Sequence, residues 1–274
     1  MSHDYEITLI DDLVDAAWKQ PVPKPTATGS LLRGSNAGQC SRQIAFEAIN
    51  HKPDHLIPGN VLMAFAVGNA FHERIQKIVV GKLDAKIEVV CTYEPELSVS
   101  GHADFVYTRD FEYEGFPEAD GETIVGEIKT LSGYGWGLAT GRIKSDSPGP
   151  KMEHCLQAGI YASSPTLQSH LVHMVYVDKD KHGIAEWLID TEEELLATNM
   201  SLAQMVEREL DRFAGIIDQI ESNRLPARFI PGYGLVTKVP KHGVPGTPWN
   251  CGYCKFRESC AILPTESVNL GDPA

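Results

Sequence analysis

The sequence predicts a mixed α/β domain with a central sheet flanked by helices, and three observations support this. Residues 87–108 and 123–130 are rich in β-branched side chains and bounded by glycines, as strands are. From Val61 to Leu83, apolar residues recur at Val61, Phe65, Ile75 and Val79, with Gly68 and His72 on the same stripe, which is helical spacing. Residues 170–190, HLVHMVYVDKDKHGIAEWLID, read as a hairpin.

The remaining elements follow in order. Residues 1–20 suggest a short amphipathic helix, and PVPKPTATGS at 21–30 is a linker. This sets the domain organisation: an N-terminal helix and linker at 1–30, then one domain at 31–274. Ser35 or Asn36 is placed to cap a helix carrying Cys40 near its start. Between Asp104 and Glu127 lie 22 residues with an acidic run, DFEYEGFPEADGE at 110–122, expected to be a long hairpin or loop. Residues 131–150 are Gly-rich and predict a loop with at most a short helix. Residues 151–163 predict a helix, and Thr191 with Glu194 forms a capping box for a long helix reaching Asn223. The Pro- and Gly-rich tail, 224–274, is expected to be held by its cysteines.

Composition narrows the function classes. No run of about 18 apolar residues exists to span a membrane. The acidic start, MSHDYEITLIDDLVDAAW, lacks the basic and apolar regions of a secretory signal, so a cytoplasmic location is expected. A net charge of −13 argues against an extended nucleic-acid surface. Arg142, Lys144, Lys151 and His154 cluster in sequence, however, and leave room for a local basic channel. Trp136 with Arg142 and Lys144 is a candidate for contacting a strand by stacking and phosphate pairing.

Six cysteines without secretory features favour metal or cluster ligation over disulfides. Cys251, Cys254 and Cys260 form C-x2-C-x5-C, and a closed site wants a fourth ligand. Spacing leaves zinc and iron–sulfur both open. Cys91 and Cys155 fall on strand and helix positions that suit buried free thiols.

Two strand segments carry candidate chemistry. Asp104 follows Gly101-His102-Ala103, and Glu127 and Lys129 flank Ile128. Residues two apart on a strand share a face, so Glu127 and Lys129 stand together while Ile128 faces the opposite layer. A charged pair on an apolar strand needs partners, and Asp104 and Glu127 are hard oxygen ligands suited to Mg²⁺ or Mn²⁺. Singly, an E-x-K on a strand is most often a solvent-facing pair, and a lone His such as His72 is most often a core residue. Gln157 and Tyr161, four apart, share a helix face.

Taken in order, His72, Gly101-His102-Ala103-Asp104, Glu127-Ile128-Lys129 and Gln157-Ala158-Gly159-Ile160-Tyr161 resemble the RecB-like branch of the PD-(D/E)XK nucleases over roughly residues 33 to 261. The resemblance implies a restriction-endonuclease-like core and a metal-dependent DNA exonuclease of recombination, repair or processing. It implies metal ligands at His72, Asp104, Glu127 and the Ile128 carbonyl. Asp104, Glu127, Lys129, Gln157 and Tyr161 are then the catalytic set. DNA with free ends, single-stranded, is the implied partner. A subset of this branch, typified by AddB-type nuclease subunits and CRISPR-adaptation exonucleases, holds a 4Fe–4S cluster. In that light Cys40 is the fourth ligand beside Cys251, Cys254 and Cys260, stapling the chain's ends. Rival readings are a non-catalytic DNA-binding or assembly subunit with an iron–sulfur or zinc site, and a CRISPR-adaptation trimming nuclease.

Overall fold

A computed structural model describes residues 29–108, 121–144, 148–195, 199–232, 234–236 and 249–270. The expected helix at 1–20 and most of the acidic segment lie outside the described residues. The chain is α/β, with a mixed sheet of parallel and antiparallel strands flanked by helices, as its composition of strand and helix signals predicts.

The elements run β1 (Leu32–Arg33), α1 (Ser41–Ala48), α2 (Gly59–Leu83), β2 (Lys86–Thr92), β3 (Val99–Thr108) and β4 (Thr123–Leu131). Then come α3 (Gly133–Ala139), α4 (Met152–Ala162), β5 (Leu171–Asp178) and β6 (Ile184–Asp190). A small β7–β8 pair (Glu194–Leu195 and Met200–Ser201) precedes α5 (Leu202–Glu221). The tail holds short helices α6 (Trp249–Gly252) and α7 (Arg257–Ala261).

Strand pairing creates the feature that positions the site. β2 pairs antiparallel with β3 from Ser100 to Val106. Ser100 also pairs with Arg33 of β1, and Phe105 also pairs with Gly126 of β4. A strand residue has two neighbours at most, so β1 and β4 both lie on the edge of β3 opposite β2. Between them, Gly101–Asp104 have no strand partner on that edge among the described residues. β4 runs on past the fork, paired in parallel with β5 as far as Leu131 opposite Asp178.

Alternation along β4 sorts side chains between two layers. Ile124 and Ile128 face a core with Phe105, Val175 and Val177, covered by Phe71, Ile75 and Val79 of α2. Val125 faces the other core, built with α1, α4, α5 and the tail. A Cβ on Gly126 would come 2.1 Å from the Phe105 ring, so only glycine fits beside Glu127.

Two local expectations need correction, and one stripe is only partly buried. The long helix starts at Leu202, where Ser201 and Gln204 form the capping box, with bonds of 3.1 and 3.2 Å. Thr191 and Glu194 carry the same local signal, but Asn199 takes a left-handed φ of 52°, which breaks the run between the two candidates. Cys40 is itself the N-cap of α1, while Asn36 closes a 3-10 turn by accepting the Arg33 N–H. On α2 the apolar stripe is only half covered: Ile75 and Val79 pack on the sheet, yet Val61 and Phe65 are exposed. Among the described residues, no helix is long and apolar enough to cross a membrane.

Candidate functional site

The fork of β3 and β4 gathers the side chains singled out by sequence. Beyond Phe105–Gly126 the ladder ends, and the Ile128 N–H donates to Asp104 Oδ2 at 2.6 Å instead of to a strand carbonyl. In a strand the N–H and C=O of one residue point to the same edge, so the Ile128 carbonyl also faces the fork. Its side chain is fully buried in the opposite layer, as alternation predicts. His72, from α2, brings Nδ1 to 3.5 Å from Asp104 Oδ1.

Glu127 is 2% exposed, yet only one of its oxygens is satisfied. Oε1 accepts from Lys129 Nζ at 2.6 Å and from Gln157 Nε2 at 2.7 Å. Oε2 is buried without a hydrogen-bond partner among the described residues. Lys129 also donates to Gln157 Oε1 at 2.9 Å, closing a three-membered ring of contacts. Burial raises the Glu127 pKa, and the neighbouring Asp104 charge adds to it, against the opposing pull of Lys129 and His72. Burial works against charge on Lys129 as well, but Glu127 outweighs it and the ammonium is retained. At His72, desolvation is likewise outweighed by Asp104, and its pKa rises.

Tyr161 stands one turn after Gln157 on α4, with its hydroxyl 3.4 Å from Gln157 Nε2. Its ring lies against the backbones of Gly34 and Gly101, where a Cβ would come within 2.4 and 2.6 Å. The absence of side chains at both positions lets the ring fill the gap between β1 and the fork.

A second site lies at the chain's ends. Cys40, Cys251, Cys254 and Cys260 line one pocket with Phe46 and Phe256. Burial pushes the Cys251 and Cys254 thiols up to about 11 and about 12, and neighbouring cysteines add to the rise. Burial also raises Cys260, while Arg42 and Arg228 pull it back. Cys91 and Cys155 are buried elsewhere as free thiols, pushed up by desolvation to about 11 and about 12. Among the described residues, no three His, Cys, Asp or Glu side chains stand close enough to hold a metal ion.

Sequence reasoning missed what anchors this pocket. Arg42, fully buried on α1, donates to the carbonyls of Pro226, Pro264, Thr265 and Glu266. Asp54, before α2, accepts from the N–H groups of Glu258 and Ser259 at 2.6 and 3.0 Å and so caps α7, which carries Cys260. Neither residue has a local signature. The expected basic strip fares less well. Trp136 is 4% exposed, buried rather than presented for stacking. Burial pushes the His154 pKa down to about 3, and its ring meets the Tyr176 hydroxyl at 2.7 Å, so it brings no positive charge. Arg142, Lys144 and Lys151 are exposed.

No family model and no curated protein matches this chain. Among solved structures, one described as "Crystal structure of SSO0001" aligns over 94% of this chain and 95% of its own, at 17% identity and a TM-score of 0.46.

Proposed function

We propose that the chain is a metal-dependent deoxyribonuclease of the RecB-like PD-(D/E)XK type that degrades DNA from its ends. The observation that carries this reading is the unpartnered, buried Oε2 of Glu127 at the strand fork. A buried carboxylate oxygen without a donor is costly, and a divalent cation offsets that cost. Asp104, Glu127, His72 and the Ile128 carbonyl, drawn closer than they stand here, would hold Mg²⁺ or Mn²⁺, a donor set rich in hard oxygen. Such an ion supplies Lewis-acid charge and lowers the pKa of water.

The chain's own residues then divide the remaining work. Lys129, fixed by Glu127 and Gln157, places a retained positive charge beside the phosphodiester and orients the attacking water. Gln157 holds both partners of that ion pair. Tyr161 braces Gln157 and shapes the gap beside Gly101. An active nuclease degrades linear, end-labelled, single-stranded DNA with Mg²⁺ or Mn²⁺, stops in EDTA and spares closed circles. Failure to cleave any DNA would leave the non-catalytic binding subunit, and efficient cutting of single-stranded circles would make the enzyme an endonuclease.

In the same proposal, Cys40, Cys251, Cys254 and Cys260 hold a 4Fe–4S cluster. Four thiols lining one pocket are the donor set such a cluster takes, though they would have to draw closer than they stand here, and zinc is the competitor. Protein purified without oxygen should be brown, with about four iron atoms per chain. Cys40→Ala should lose the iron, while Cys91→Ser and Cys155→Ser keep it. Because Arg42 and Asp54 also tie down the tail, Cys40→Ala should still fold, with a lowered Tm. Stoichiometric zinc with negligible iron would overturn the assignment.

A further inference from the structure

We propose that Gln76 is a positioning residue for Asp104, acting on its backbone from one turn beyond His72, and that Glu88 holds Gln76 in place. This rests on the metal site proposed above.

Asp104 sits where β3 has lost β4 but still runs beside β2. There β2 is irregular as well: Glu88, opposite Asp104 in register, takes a left-handed φ of 50°, while Ile87 and Val89 on either side keep their pairing to Phe105 and Ala103. A non-glycine residue in that conformation is strained and persists only where its surroundings hold it. What holds it is a side chain from α2. Gln76, 6% exposed, donates from Nε2 to Glu88 Oε1 at 2.7 Å and to the Asp104 carbonyl at 3.0 Å.

Both partners are acceptors, so both amide protons are used and the orientation of the amide is determined. The bond to Glu88 is charge-assisted and the stronger of the two. Asp104 is therefore fastened at three places: Oδ2 by the Ile128 N–H, Oδ1 beside His72, and its carbonyl by Gln76. His72 and Gln76 are four apart on one helix, so α2 grips the side chain and the backbone of the same residue. Partners that orient a metal ligand without touching the metal typically change affinity by about 10–100-fold when removed.

Mn²⁺ titration of the full chain, followed by the EPR signal of the free ion, tests this without reading activity. Gln76→Met keeps the volume but cannot donate, and should weaken Mn²⁺ binding about tenfold or more at a temperature well below its Tm. Gln76→Glu turns an acceptor toward two acceptors and should weaken it at least as much. Glu88→Gln keeps an acceptor for Gln76 and should stay within about threefold of the parent, since only the charge is lost. Unchanged Mn²⁺ affinity in Gln76→Met, whatever its Tm, would reduce Gln76 to a packing residue and overturn the proposal. If the unsubstituted chain binds no Mn²⁺, or binds it as well with Glu127→Ala, the metal site itself is wrong. The two failures are thus distinct.

Discussion

On the proposed function, Glu127→Gln should yield a folded, iron-loaded protein that no longer cleaves DNA. Gln is isosteric and keeps an acceptor for Lys129 and Gln157, so the ring of contacts at Oε1 survives. The orphan Oε2, however, becomes an amide that donates where a cation should sit. Loss of a ligand that positions Lewis-acid charge is worth several kcal/mol in the transition state, and about 4 kcal/mol is about a thousandfold in rate. Stability should stay near the parent's or fall modestly: the site no longer buries a carboxylate whose ionised form is disfavoured by burial and by Asp104, but Lys129 loses the charge that offsets the burial of its ammonium. End-labelled linear DNA with Mn²⁺, read beside a denaturation curve, measures both. Cleavage within tenfold of the parent would remove Glu127 from the chemistry. Lys129→Ala should match it in fold and in loss of cleavage but still bind Mn²⁺, since Lys129 is not a ligand.

Arg42→Met should be the most destabilising single substitution in the tail's anchorage. Of the four carbonyls it serves, that of Thr265 also accepts from the Arg228 N–H, while no other donor to those of Pro226, Pro264 and Glu266 is described. Each buried acceptor left unsatisfied costs about 1–3 kcal/mol, and water reaching the loosened tail recovers part of that. A net loss of about 3–5 kcal/mol, typical of breaking a buried charged contact, is a large share of the usual 5–15 kcal/mol total, itself about what a domain commands. Arg42→Lys should recover only a fraction, because a single ammonium cannot serve four carbonyls at once. Iron content should fall with Arg42→Met too, since the guanidinium charge favours the Cys260 thiolate. Chemical denaturation within about 0.5 kcal/mol of the parent, the range of surface substitutions, would refute this.

How far each element was legible depends on how local its cause is. The strands at 123–131 and 171–190 were legible because alternation and turn residues act over a few positions. The capping box was misplaced because two identical signals, at Thr191 and Ser201, compete within eleven residues and only the chain's path between them chooses. Val61 and Phe65 share the helical stripe yet stay exposed, because periodicity reports a face of a helix and not the length of sheet available to cover it. Trp136 and His154 were read as surface groups from a Gly-rich, basic neighbourhood, whereas packing against Gly183 and Tyr176 takes both inward. Gln76 did carry a signal, lying four residues after His72 on the same helix face.

Residue order alone puts Glu127 and Lys129 on one face of a strand with Ile128 on the other, and Gln157 and Tyr161 on one face of a helix. Those facts follow from backbone periods of two and 3.6 residues, which need no partner. Packing is what parts β3 and β4 at Asp104, leaves one oxygen of Glu127 without a donor among the described residues, and lines one pocket with four cysteines. It alone assigned Arg42 to carbonyls 184 to 224 residues away. Such contacts depend on where the ends of the chain come to lie, and a buried donor finds whichever acceptors packing brings to it.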